Sequence, residues 1–565
     1  MNDYLSKFDD IFYYYKGLNG CIGAVGFHPS GIIGSPINIR NSIGLRYNKK
    51  NDSWISQCDM KEVDGCNYVK YDILSLKTMQ VLTEAFALAN KKYPRSYEIN
   101  WNDEEVFKDM LTSQVGLFQM ESDSAFAYLK RFEPKSVSDI TLLTAVIRPS
   151  CASFRENVFN REIHDTPSDV IAEVLKDSYG YLVYQEQQIA FLQKACGFTG
   201  GQADTVRRAI GKKDPVLLAK WLPVIKDGYI KNSDKSKDIA EKEVEEFMKI
   251  FIDSASYSFG FNHATAYSMI TYMTAYCRKY YPVEFIASYL NNATNDDDII
   301  NGTNLAKVYG VKICNPKFGM SSGKYSVYNG VIYKGIGSVL NVSEKCGIDL
   351  LNLSRKYDFA NKTFLDFLVL SKEDGCAVDK TNINTLIKID FFSQFGKIQT
   401  LLKIYQMYSK YYTRKTLVKG EHSLLDKICL EYIKSGDEDF SESKSRFKIN
   451  GAKLCKSLVS LLPDKDASDL EKIVYQLSYL NYIQDDELFK YDIGVVKWIS
   501  HKNNSVCIEG IGNKKSSWYG KGKYELNSGD IVKINLTSKV KNGHRTETIL
   551  VDIDILELDR RKEKK

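Results

Sequence analysis

The apolar residues of this chain follow two periods. Helical spacing dominates from about residue 90 to 310 and returns as short helices from 335 to about 480. Residues 488–556 instead alternate in steps of two, in IGVVKWIS, SVCIEGIG, DIVKINL and TILVDIDI. Alternating segments at that spacing fit a small β-barrel. One chain with both patterns is multidomain, and 565 residues at roughly 100–200 per domain allow three to five. No run reaches about 18 uncharged apolar residues, which excludes a membrane-spanning helix. The opening MNDYLSKFDD lacks the basic and apolar regions of a secretory signal.

The formal net charge is +6. Residues 488–565 hold 16 Lys and Arg against 10 Asp and Glu, which leaves 61 of each in the first 487 residues. The whole excess therefore sits with the alternating segment. Apolar residues make up 44 % and charged residues 26 %, a globular composition rather than a disordered one. The 12 cysteines are scattered, with no CxxC, so neither a zinc ribbon nor a redox dithiol is indicated and a reducing compartment is expected.

Four segments can carry chemistry. In VKYDIL, Val69–Leu74, the period of a strand puts Lys70 and Asp72 on one face and sends Val69, Tyr71 and Ile73 to the other, toward a core. A carboxylate beside an ammonium suits a metal next to a phosphate; a plain pair on a half-exposed strand is the simpler alternative. In ADTVRRAIGKK, a helical reading stacks Arg208 and Lys212, with Arg207 about 100° round and Gly211 as terminator. With Lys213 the segment suits a polyphosphate, or else a solvated basic helix end. In SYSFGFNHATAYSMITYMTAY, His263 and Tyr267 share a helix face. Tyr257, Phe259 and Phe261 just before could stack a base, although a core histidine is the plainer reading. In GIGSVLNVSEK, Gly335 and Gly337 read as a turn presenting N–H groups to a phosphate, or as an ordinary turn.

Taken in order, these segments resemble the bacterial replicative DNA polymerase III alpha subunit, the C-family polymerase. HPSGII at residues 28–33 is similar to its palm segment with a His-x-x-Gly, VKYDILSLKT to its VKFDFLGLKT, and GLFQMES at 116–122 to its VFQxES. LVYQEQQI at 182–189 is similar to its VYQEQ, ADTVRRAIGKK to DxxRRAMGKK, and YSFGFNHATAYS to YSFNKSHAxAYS. GIGSVLNVSE and LIKIDFFSQFG, at 386–396, are similar to GLGAIKNVGE and LIKAGAFDSLG. The resemblance covers roughly residues 21–400.

It implies roles at the matching positions. Asp72 resembles the third metal-binding palm carboxylate, with Mg2+ as cofactor, and Lys70 the palm lysine at the incoming triphosphate. Arg207 and Arg208, with Lys212 and Lys213 beside them, resemble the fingers cations on that triphosphate. His263 and Tyr267 resemble the fingers helix that closes on the nucleotide. Gly335 to Glu344 and Leu386 to Gly396 resemble a helix–hairpin–helix region gripping duplex backbone. The terminal barrel resembles the family's OB domain by position and pattern, and Lys514, Lys515, Trp518, Tyr519, Lys521, Lys523 and Tyr524 cluster in one predicted loop there. Asp485 to Phe489 faintly resembles a sliding-clamp peptide, with Gln484 one position early.

Departures are as informative. The family's PDFDxDF motif, which carries two of its three aspartates, has no counterpart, and Asp552–Asp554 reads as a strand face. The family's RPGP is Arg148-Pro149-Ser150-Cys151, and its Asn-Lys-Ser is Gly260-Phe261-Asn262. Met1 falls about where the family's thumb returns to its palm.

The expectation is a mixed α/β chain: end of thumb 1–20, palm remnant 21–75, helix-rich fingers 76–310, helix–hairpin–helix region 311–420, helical connector 421–487, OB-type β-barrel 488–556 and basic tail 557–565. It reads as the C-terminal half of a split polymerase subunit, from a phage or bacterium. An N-terminal half with the Asp-x-Asp palm motif would be its partner, primer–template DNA and dNTP its substrates, and the cytoplasm its location. The alternative is a non-catalytic DNA-binding replisome scaffold.

Overall fold

The computed structural model describes residues 9–556 apart from 22, 24, 25, 27, 29, 50, 51, 67, 74, 149, 150, 213, 214, 255–257, 481–487, 489–492, 501–504, 511–516, 522–525, 527–529, 543 and 544. It divides into two compact units, Met1–Lys77 and Thr78–Lys565. No helix of the described residues is long and apolar enough to cross a membrane.

Among its described residues the first unit has four short strands: β1 (Gly31–Gly34), β2 (Leu45–Asn48), β3 (Ser53–Ser56) and β4 (Val69–Asp72). β2 and β3 form a hairpin, and β1 pairs antiparallel with β4 so that Gly31 lies opposite Asp72 and Ile33 opposite Lys70. The alternation of VKYDIL does form a strand, but one expectation fails. Val69, Tyr71 and Ile73 do not enter a core; they are 53 %, 56 % and 64 % exposed. Ile32, opposite Tyr71, is exposed as well. The reason is that a two-stranded ribbon has two faces, and periodicity separates them without saying that anything covers either.

The second unit is mostly helical. Its first core surrounds helix Phe261–Tyr280, whose Tyr272, Met273, Ala275 and Cys277 pack among helices Glu104–Met110, Val137–Val146 and Pro282–Asn291. Pro282 disfavours helical backbone at Tyr281, so the long helix stops there, and Pro282 opens the next helix at a position that needs no N–H donor. A second core joins helices Gln185–Lys194, Gly200–Gly211, Pro215–Asn232 and Lys237–Ser254 around Phe191, Phe247 and Phe251.

Beyond these, β5 (Ile313–Cys314), β6 (Ser326–Tyr328) and β7 (Val331–Tyr333) pair in the order β5-β7-β6. Helices Glu344–Lys356, Phe364–Glu373, Lys380–Lys388 and Ile398–Tyr411 follow, around a cluster that includes Phe318, Phe367 and Phe392. Residues 421–487 are not a purely helical connector. β8 (Thr416–Val418), β9 (Ser441–Glu442) and β10 (Arg446–Lys448) form a three-stranded sheet backed by helices Ser423–Lys434 and Gly451–Ser460. Each strand buries at most one residue, Leu417 or Phe447, too little alternation to register in a sequence.

Among its described residues the C-terminal part has five strands rather than the four legible segments: β11 (Ile493–Ser500), β12 (Ser505–Gly510), β13 (Ser517–Lys521), β14 (Ile531–Asn542) and β15 (Arg545–Leu556). They pair in the order β11-β12-β13-β15-β14, and β14 pairs back to β11. Trp518, Tyr519 and Lys521 thus lie on a strand and not in a loop.

Candidate functional site

In the first unit, Lys70 Nζ lies 3.1 Å from Asp72 Oδ1 on the shared face of β4, and His28 Nε2 lies 3.7 Å from the same oxygen. The backbone N–H of Ser30 donates to His28 Nδ1 at 3.2 Å, which leaves Nε2 to carry the proton toward Asp72 in the neutral ring. The His-x-x-Gly spacing now has a physical reason. A Cβ at Gly31 would stand 2.9 Å from Lys70 Cε, 3.1 Å from His28 Nδ1 and 3.3 Å from Asp72 Oδ1. Glycine keeps open the space in which the three side chains meet. Sequence reasoning gave no separate role to His28, and its signal was this spacing.

One carboxylate does not make a metal centre. Among the described residues, no group of three His, Cys, Asp or Glu side chains is placed to hold an ion. Asp72 can supply one donor; a two-metal site needs several more.

In the second unit, helix Gly200–Gly211 carries the basic segment. Asp204 accepts from Arg207 Nε and Nη2 at 3.1 and 2.8 Å, and its other oxygen lies 2.8 Å from Arg208 Nη2. The bond from Arg207 is the main cause that holds the Asp204 carboxyl below its ordinary range. The two guanidiniums differ: Arg207 is 14 % exposed and Arg208 70 %. Lys212 is exposed just past the helix end, where its N–H bonds back to Arg208 and Ala209. Lys213 lies outside the described residues. The three described cations, with one anion among them, can bind a polyphosphate once the arginines are released or shared.

The His263–Tyr267 pair is in ring contact at 4.2 Å, as their spacing requires. The row extends both ways. Phe259 meets His263 edge-on at 5.3 Å, with the Arg148 guanidinium 3.8 Å over its ring, and Tyr267 meets Phe118 at 5.2 Å. Phe261 does not join it and packs edge-on against Tyr184; Tyr257 lies outside the described residues. Arg148 and Phe118 were visible in the sequence only as members of motifs, with no role of their own.

Two of the recognised segments hold this row in place. Gln185 N–H donates to Phe259 O, Phe259 N–H to Val183 O, and the Glu186 carboxylate accepts the N–H of Phe261, the first residue of the long helix. VYQEQ is therefore a clasp and a cap for the aromatic helix. Phe118 is fixed from the opposite side: its carbonyl accepts from Thr271 Oγ1, and its N–H donates to Thr274 Oγ1. Below it, fully buried Arg278 bonds Asp109 Oδ2, Asp109 O, Ser113 O and Val115 O at 2.7–3.0 Å.

The turn at Gly335 and Gly337 differs from expectation. The N–H of Ile336 donates to Ser322 O and that of Gly337 to Gly323 O, both at 2.9 Å, and Ser338 and Val339 bond within the turn. These four amides are satisfied inside the protein and do not face a phosphate. A Cβ at Gly335 would meet Gly323 O at 2.4 Å, so close backbone packing explains the glycine. The amides ahead of helix Glu344–Lys356 begin only after this packed turn. Of the barrel residues, Lys514, Lys515, Lys523 and Tyr524 lie outside the described residues, as does the clamp-like segment except Leu488.

Comparison with known proteins gives a consistent picture. Residues 76–233 match the family model for the bacterial DNA polymerase III alpha subunit finger domain, and residues 1–75 that for the bacterial DNA polymerase III alpha NTPase domain. The DNA polymerase III subunit alpha of Campylobacter jejuni is 29 % identical over 406 residues, 68 % of this chain and 33 % of that protein. That of Aquifex aeolicus is 30 % identical over 364 residues, 61 % of this chain and 31 % of that protein. That of Ureaplasma parvum is 27 % identical over 443 residues, 75 % of this chain and 44 % of that protein. The chain spans less than half the length of these relatives.

Proposed function

For a chain related to the bacterial DNA polymerase III alpha subunits, with their NTPase and finger domains over residues 1–233, we propose a role as one component of a split DNA-directed DNA polymerase. It works in the cytoplasm of a bacterium or a phage-infected host. Deoxynucleotides are added to a primer 3′ end on a DNA template. A second polypeptide supplies the Asp-x-Asp carboxylates that this chain lacks.

The observation that carries the reading is the two-faced ribbon β1–β4. One face brings Lys70, Asp72 and His28 together, while the other leaves Val69, Tyr71 and Ile73 in water. A polypeptide that covered the apolar face could also bring carboxylates to the polar one. Mg2+ would find one ligand in Asp72, and the remaining donors would belong to the partner. Lys70 would neutralise phosphate charge beside it. In the fingers, Arg207, Arg208, Lys212 and Lys213 would take the triphosphate, worth most where water is excluded. His263 and Tyr267 would face the nucleotide, steadied by the clasp at 183–186. The segment from Gly335 to Ser343, with packed glycines, would position the helix–hairpin–helix contact on duplex DNA. The five-stranded C-terminal part would serve as an OB domain for single-stranded template, with Lys514, Lys515, Trp518 and Lys521 among its contacts.

Primer extension with and without a polypeptide bearing the palm Asp-x-Asp tests this directly. Activity is expected only when both are present. Extension by this chain alone would sink the split arrangement. DNA binding by the pair with no extension would favour the replisome scaffold.

Gly31→Ala gives a finer check. Its methyl would push Lys70 from Asp72, because the nearest contact is the flexible lysine stem and not backbone. Displacing a positioned group by about 1 Å can cost up to about a hundredfold in rate. A loss of tenfold or more in incorporation rate is expected, with the melting transition of the protein unchanged. Equal rates for variant and parent would remove Gly31 from the site.

A further inference from the structure

A cavity of about 530 Å³ opens between β6 and the C-terminal half of helix Glu344–Lys356. Its floor is aromatic, from buried Phe318 and Phe359. Its rim carries Arg355, Lys362 and Gln394, and among the described residues no Asp or Glu lines it. Tyr328 stands at the tip of the β6–β7 hairpin, 47 % exposed, raised there by a two-residue turn in which Asn329 and Gly330 both have positive φ. Among the described residues no ring, hydrogen-bond or ion-pair partner is recorded for the Tyr328 side chain.

The cations matter because they line the cavity and the nearby carboxylates do not. Lys356, next to Arg355, is held by Asp374 at 2.8 and 2.9 Å. Asp358 accepts the N–H of Ala360 and keeps its charge, and Asp366 lies within electrostatic reach of Lys362, both outside the lining. The dipole at a helix C-terminus favours cations and opposes an anion by about half a charge. Arg355 and Lys362 together carry two full charges, so the balance at the rim is positive. The volume lies within the range of small-molecule sites, roughly 300–1,000 Å³.

We propose that this cavity binds one nucleotide unit of a single-stranded nucleic acid, with the base on Tyr328 and the phosphate between Arg355 and Lys362. Single-stranded rather than duplex nucleic acid fits, because only an unstacked base can lie on the tyrosine face. The site is separate from the Gly335–Ser343 turn, which is at the other end of the same helix. Thirteen residues of helix put about 19 Å between the two. The proposal does not depend on polymerisation, since binding alone is measured.

The test uses the full chain, a fluorescein-labelled oligo(dT) and anisotropy across a salt series. For single strands each phosphate contact contributes about 0.7 to the slope of log K against log salt. Arg355→Gln combined with Lys362→Gln is expected to flatten that slope by about 0.7, because both cations serve one phosphate. Tyr328→Ala is expected to weaken binding at least about fivefold, the lower end of base–aromatic stacking. All three side chains are exposed or at the rim, so the variants keep the fold. A photo-crosslink from 5-iododeoxyuridine in the oligonucleotide is expected at Tyr328. Parent-like slope and affinity in the variants, or a crosslink that maps elsewhere only, overturns the proposal.

Discussion

Asp72→Asn is expected to lower single-nucleotide incorporation by the assembled polymerase at least about a hundredfold, the scale on which removing one charge-stabilising group acts. Asn has the shape of Asp and keeps one carbonyl oxygen, but it loses the charge that a divalent cation and Lys70 both require. The ribbon should tolerate the change. The Asp72 side chain is 46 % exposed, and its ion pair with Lys70 is a surface pair, worth about 1 kcal/mol or less. Loss of rate with an unchanged melting curve is therefore the signature. Presteady-state incorporation with the partner polypeptide present measures it. Full activity of the Asn variant would remove Asp72 from the chemistry, whatever the partner supplies.

Arg278→Met is expected to destabilise the second unit by about 3–5 kcal/mol, the cost of breaking a buried pair from one side. The arginine is fully buried and satisfies four acceptors at once. Methionine fills much of the volume and bonds to none of them. The Asp109 carboxylate would retain Tyr309 as a donor and lose its counter-charge. Ser113 O and Val115 O would lose the donor that fixes the segment leading to Phe118. A denaturant midpoint shift reads the loss. The double variant Arg278→Met with Asp109→Leu is expected to recover a large part of it, because no buried charge is then left alone. A double variant no better than the single would show that the pair is not the source of the cost.

What sequence alone made legible follows from the range of each interaction. Lys70 with Asp72, and His263 with Tyr267, are two and four residues apart, and the period of a strand or helix decides such pairs. The helical majority and the β-rich end followed from the same rule. Contacts across the chain did not. Arg278 and Asp109 are 169 residues apart, and nothing local to either marks a partner. Glu186 was visible only as part of a motif, and its work as a cap on Phe261 needed the fold. Amide N–H groups in the Gly335 turn looked available because the backbone that consumes them, at Ser322 and Gly323, is fourteen residues upstream. The exposed face of β4 was misjudged for another reason: alternation sorts residues onto two sides, and burial of a side depends on what else is present.

The single carboxylate of Asp204 shared by Arg207 and Arg208 has a consequence for ionic-strength behaviour. Ions associated with a polyanion are set free when cations replace them, and that release makes affinity fall with salt. Here the two guanidiniums already carry a tethered counter-anion. A phosphate arriving there displaces a group that stays attached to the helix. Salt weakens the attraction of the exposed Arg208 for Asp204 as well as for the phosphate, so the two effects offset in part. Retention of a triphosphate at Arg207 and Arg208 should therefore fall less steeply with salt than at an unpaired lysine.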